Sequence, residues 1–271
     1  MRICHSVYLS LVFFSLCSPI SAQDLPDSTW INWRLVGPQT DFPEPSLTIY
    51  PAYYGAVGDG MADDTEAILQ ALEACGGSPC NVILGEGTFR INSSLSLSSH
   101  QHIVGKGSEK TLLLFEMGNN PAACIQMIGE NGPAYDVPTY TPKKSHLIHF
   151  PEMIEIEEGD YLEFFEPNQS WDSSPADWAA ESVGQILQVR EVLADGRIET
   201  VEDLRFSLDP EHATKVRRIF PVQNAGLHCV SIKRINPISG GIGAGIHMKY
   251  AVESVIEGVE SSQSMGSHIL V

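Results

Sequence analysis

Apolar positions change their spacing along the chain, and each change predicts a different kind of element. From Asp63 the spacing is helical: Ile68, Leu69, Ala71 and Leu72 share one face, and Gly76 and Gly77 close the segment. Asp63 and Asp64 suit an N-cap, and Glu66 stands three residues after Asp63 as in a capping box. A short helix with signals at both ends is predicted. Downstream the helical period vanishes. Residues 82–84, 88–91, 95–97, 102–104 and 112–115 are brief apolar bursts between Gly, Asn and Ser turns. They leave no room for the helices of a doubly wound sheet, and fit either a sandwich or a solenoid of stacked coils.

The middle of the chain is different. Residues 161–165, 185–192 and 197–201 predict longer strands, with Asp195-Gly196 as a hairpin turn between the last two. Residues 131–220 therefore read as a β-rich insertion. Short bursts return at 227–235 and 252–259, units about 25–30 residues apart, a spacing within the solenoid range. The end, Ser267-His268-Ile269-Leu270-Val271, is a β-prone apolar run without a cap. Because each coil satisfies its backbone groups through the next, the expectation is a solenoid that continues, truncated in this chain. The predicted order is an export signal (1–22), a leader (23–45), a helix with the first coils (46–130), the insertion (131–220) and further coils (221–271).

The signal reading rests on Arg2, the apolar stretch 7–17 and the small-residue exit Ser18 to Ala22. That stretch falls well short of the roughly 20 residues of a spanning helix, so no membrane span is expected after cleavage. A secreted protein is expected, extracellular or at a bacterial periplasm or cell surface. Apolar residues at 43% and charged residues at 18% indicate a real core. The formal charge of −18 excludes a general nucleic-acid binder, which needs a basic face. Cys75 and Cys80 bracket a Gly-Gly-Ser-Pro turn and could close a small disulfide loop. No zinc spacing is present, so no metal is assigned, and Cys124 and Cys229 read as buried free thiols.

The segment Tyr54-Gly55-Ala56-Val57-Gly58-Asp59-Gly60, followed by Asp63-Asp64-Thr65 and Ala67-Ile68, resembles the opening motif of the pectate-lyase superfamily. Val82-Ile83-Leu84, Gly87-Thr88-Phe89 and Ile103-Val104-Gly105-Lys106-Gly107 continue the resemblance in order, over about residues 50–115. The family includes pectate lyases, polygalacturonases, rhamnogalacturonases, epimerases and phage tailspike enzymes. The resemblance implies an all-β, right-handed parallel β-helix whose first helix caps the open end. It also implies an extracellular polysaccharide as partner, with a lyase or glycoside hydrolase activity on a uronate-containing polymer, and Ca2+ if the protein is a lyase. The alternative is a non-catalytic module for polysaccharide binding or surface attachment.

The chemistry-bearing residues divide accordingly. Gly55, Gly58, Asp59, Gly60, Asp63, Asp64 and Thr65 read as turn and cap chemistry, since their spacing fails the alternating-ligand pattern of a calcium loop. Gly240, Gly241, Gly243 and Gly245 lack the Lys-Ser/Thr ending of a phosphate loop and read as a turn between coils. Trp171 and Trp178 could stack on sugar rings or pack as an ordinary loop. Lys215, Arg217 and Arg218 could hold an acidic sugar or pair with the abundant carboxylates. His247, Lys249, Glu253, Glu257, Glu260 and His268 lie where the family places catalytic groups, but no family catalytic motif matches them. A solvated coil face explains them equally well.

Overall fold

The computed structural model describes residues 44–151, 154–168, 176, 181, 183–235 and 243–271. The export signal, most of the leader, Trp171, Trp178, Gly240 and Gly241 lie outside the described residues. The first turn of the fold comprises β1 (Leu47–Ile49), β2 (Asp59–Asp63) and α1 (Thr65–Glu73). The second is β3 (Cys80–Ile83), β4 (Gly87–Ile91) and β5 (Leu95–Ser96), and the third β6 (Gln101–Val104), β7 (Thr111–Phe115) and β8 (Ile125–Ile128).

The chain then leaves the solenoid. It forms β9 (Glu130–Asn131), β10 (Tyr135–Asp136), β11 (Leu147–His149), β12 (Tyr161–Glu166), β13 (Val183–Val192), β14 (Arg197–Thr200) and β15 (Lys215–Phe220). It re-enters through β16 (Val222–Gln223), β17 (Gly226–His228), β18 (Ser231–Arg234) and β19 (Ile246–Lys249). The last turn is β20 (Ala251–Val252), β21 (Val255–Glu257), β22 (Glu260–Ser262) and β23 (Ile269–Leu270).

Three long parallel sheets result, sheet A (β1-β3-β6-β17-β21), sheet B (β2-β4-β7-β18-β22) and sheet C (β5-β8-β19-β23), and β16 pairs with β20 in a further two-stranded parallel sheet. This is a right-handed parallel β-helix. Its register puts like residues above one another, Val82 on Ile103 on Leu227 in sheet A and Leu95 on Ile125 on Ile246 in sheet C. Alternate side chains point inward, so those stacks form one continuous apolar column while their neighbours face solvent. Bursts of three to five residues suffice because each strand contributes only one or two side chains to the column.

Helix α1 takes the place that a sheet-C strand occupies in later turns. Its Ile68, Ala71 and Leu72 join the apolar column, and Gln101 donates from Nε2 to the Leu72 carbonyl at 2.8 Å. The capping box does not form. Asp64 holds the N-cap position, but its carboxylate accepts from the Val57 and Gly58 N–H groups at 2.6 and 3.2 Å. The carboxylate is fully buried, and it takes these part-buried amides as its hydrogen-bond donors. Asp63 accepts from the Thr65 N–H and hydroxyl, and Glu66 from Gln70. At the helix's far end Cys75 and Cys80 are joined by a disulfide. Cys124 is buried and free, whereas the free thiol Cys229 is only half-buried, in the tight turn between β17 and β18.

Between β9 and β15 every pairing is antiparallel, in the order β10-β15-β12-β13-β14-β11. This sheet has its own core, including Leu162, Phe164, Leu187, Val189, Ile198 and Val216. It leaves and rejoins the solenoid side by side: a Cβ built on Gly129 would lie 2.6 Å from the Phe220 carbonyl and 2.8 Å from Pro221 Cα.

Candidate functional site

The outward positions of sheet C form a ladder. Ser96, Gln126 and His247 occupy one rung position on successive turns, and Ile128 and Lys249 the next. Parallel strands place such rungs about 4.8 Å apart. Beside the ladder, where the insertion leaves and returns, lies a groove of about 410 Å³. Its floor is Ser96, Ser98, Ser99, Gln126 and Ile128, and its wall is Glu130 and Phe220, paired across β9 and β15. The Phe220 ring is half exposed and lies 5.1 Å beneath the Arg218 guanidinium. An exposed ring beside hydroxyls and an amide suits a pyranose, whose apolar face stacks while its edge hydrogen-bonds.

One rung away, His247 and Lys249 project from the same face of β19. Burial, and secondarily the Lys249 ammonium, hold His247 below the usual histidine range, leaving it an uncharged base at neutral pH. Among the described residues lining the groove, Glu130 is the single carboxylate. Among the described residues, no three His, Cys, Asp or Glu side chains converge on a point that could hold a metal ion.

The other candidates scatter. Glu257 closes β21 on sheet A, Glu260 opens β22 on sheet B, Glu253 lies in a turn, and His268 Nδ1 meets Ser261 Oγ at 3.0 Å. Lys215, Arg217 and Arg218 do not form one patch: Lys215 pairs with Asp136, Arg217 with Glu163 and Glu181, and Arg218 with Asp160. Asp59 accepts from the Met61 and Ala62 N–H groups at 2.8 and 2.9 Å, and Asp63 and Asp64 serve local loops, as described. Of the glycine cluster, Gly243 lies against Arg234 and Gly245 against the His268 carbonyl.

A cluster with no local signature lies on sheet A. His102 Nδ1 and His228 Nε2 meet at 2.9 Å, and His228 Nδ1 lies 3.4 Å from Glu257 Oε2. The contact crosses 126 residues of sequence. Gly226 makes it feasible, since a Cβ there would lie 2.3 Å from the His102 ring.

The architecture thus defines a class: a parallel β-helix carrying an antiparallel sheet beside a groove. Residues 52–135 match the family described as rhamnogalacturonase A/epimerase, pectate lyase-like. The solenoid shares the parallel β-helix fold of the solved structures it is similar to. The tailspike gp61 of Pseudomonas phage phi297 is similar in fold, with TM-score 0.62 and 17% identity over 80% of this chain and 38% of that one. The Gp54 tailspike of Acinetobacter baumannii bacteriophage AP22, solved with a capsular saccharide, gives TM-score 0.56 and 13% identity over 79% of this chain and 35% of that one. Plasmin and fibronectin-binding protein A of Streptococcus pneumoniae is 39% identical over 75 residues, 26% of this chain and 10% of the relative. The chain thus spans a minor part of each of these proteins.

Proposed function

We propose that this protein is a secreted polysaccharide lyase that binds a uronate-containing polymer along sheet C. The observation that carries the reading is the placement of an uncharged His247 and a cationic Lys249 on one face of β19, a rung from the groove. In the proposed reaction Lys249 neutralises the uronate carboxylate, and His247 takes the proton on the adjoining carbon. The glycosidic C–O bond β to that carboxylate breaks, its oxygen takes a proton from water, and the product sugar is unsaturated. Gln126 and the serines hold the sugar hydroxyls, and Phe220 stacks on a ring. A hydrolase needs two carboxylates flanking the bond, and the groove's single Glu130 favours elimination over hydrolysis.

The test is incubation with pectins, alginates and rhamnogalacturonans while following the absorbance of unsaturated products. His247→Asn should lower turnover by about 10²-fold or more, the usual contribution of a general base. Lys249→Ala should act chiefly on KM. Release of saturated reducing ends would make the protein a hydrolase, and binding without any product would make it a non-catalytic attachment module.

A further inference from the structure

Both ends of the insertion converge on one residue of the solenoid. Tyr250 follows β19 directly, with φ of 50°. Its carbonyl accepts the Val222 N–H at 3.0 Å, which fixes the returning chain. The same carbonyl would lie 2.8 Å from a Cβ on Gly129, the point of exit. Its hydroxyl donates to Glu163 Oε2 of β12 at 2.9 Å and accepts from Arg217 Nη2 of β15 at 3.2 Å and Asn131 Nδ2 at 3.4 Å. Arg217 closes the ring, donating from Nε to the same Glu163 oxygen at 2.6 Å, with its guanidinium 4.4 Å from the Phe165 ring centroid.

The Arg217 and Glu163 side chains are only 14% and 16% exposed, so water competes poorly for these bonds. Glu163 and Arg217 face each other in the antiparallel pairing of β12 with β15. Phe220, at the end of that same β15, is the groove wall.

We propose that Tyr250 is a positioning residue: with Glu163 and Arg217 it docks the antiparallel sheet on the fourth turn and so sets where the wall of the sheet-C groove stands. The groove part rests on reading sheet C as the binding face, whereas the docking part does not. Tyr250→Phe keeps the ring and the backbone bonds and removes only the hydroxyl. Glu163→Gln removes the shared carboxylate charge.

The experiment pairs hydrogen–deuterium exchange on the ligand-free full chain with calorimetric titration of an oligogalacturonate. Both variants should keep the wild-type unfolding midpoint of the solenoid, yet exchange faster in residues 128–132 and 215–222. Binding should weaken about fivefold to tenfold, the scale of one lost hydrogen bond to a charged partner. The double variant should be no weaker than the worse single one, since the two residues act through one contact. Unchanged exchange in Tyr250→Phe overturns the docking claim. Faster exchange with unchanged affinity overturns the positioning claim. Failure of the wild type to bind the oligomer sinks the uronate reading of the groove, and exchange alone then decides the dock.

Discussion

His102 shows how a single side chain acquires properties its own segment does not announce. Its Nδ1 faces His228, and it also hydrogen-bonds the backbone of Asn224. Burial is the main force lowering its pKa below 6.5, and the neighbouring His228 adds to it, with His100 a smaller contributor on the same side. Glu257 faces the pair from β21 through His228. A depressed histidine is neutral in the folded state, so the unfolded chain binds more protons as pH falls below 6.5. The stability His102 contributes is therefore full above that value and is lost between it and the lower folded value. His247 shifts in the same direction and adds to the slope. Urea unfolding midpoints should fall between pH 7.5 and 5.5, and His102→Asn should flatten the curve; an unaltered slope in that variant would assign the effect elsewhere.

The loop and helix at the chain's amino side show the same dependence at the scale of an element. The Asp64 carboxylate binds two loop amides, and the loop they belong to is in turn packed by strand β4. Gly87 sits where a Cβ would lie 2.3 Å from the Gly58 carbonyl, so the Gly58-Asp59-Gly60 turn and the start of β4 are two halves of one contact. Removing the carboxylate leaves two partly buried donors without an acceptor. Asp64→Ala should therefore destabilise the protein by about 1–3 kcal/mol per stranded donor, less what entering water recovers. Chemical denaturation of the folded chain measures this. A change of only a few tenths would show that Asp64 merely ends the helix.

Across the whole molecule, the two cores are separate sets of residues, one inside the parallel column and one inside the antiparallel sheet. The chain leaves at Gly129 and returns at Pro221, and those positions touch. An insertion whose ends meet can be removed without opening the host fold, since no strand of the column is lost. Replacing residues 130–220 by a short Gly-Ser bridge should leave a cooperatively unfolding parallel-β protein. It should also abolish binding in the sheet-C groove, because Glu130 and Phe220 go with the insertion. Loss of cooperative unfolding would show that the antiparallel sheet supports the column, not only borders it.

The sequence by itself determined the elements. Burst length, turn residues and the change to longer strands sufficed for the short helix, for the coils on either side of residues 131–220 and for the Asp195-Gly196 hairpin, because these depend on side-chain period and local backbone conformation. The partners were decided only in three dimensions. Asp64 has the residue type and position of an N-cap, yet its carboxylate is taken by two part-buried amides of another loop. Lys215, Arg217 and Arg218 are neighbours in sequence, yet each faces a different acid far away along the chain, in β10, in β12 and in the turn before β12. His102 and His228 are brought together only because stacking sets turn three against turn four above a glycine. In a solenoid a residue's spatial neighbours come from the turns before and after it, and a long insertion moves one of those turns far away in sequence. Periodicity is written within a segment, but a site that crosses coils is written in the register between them.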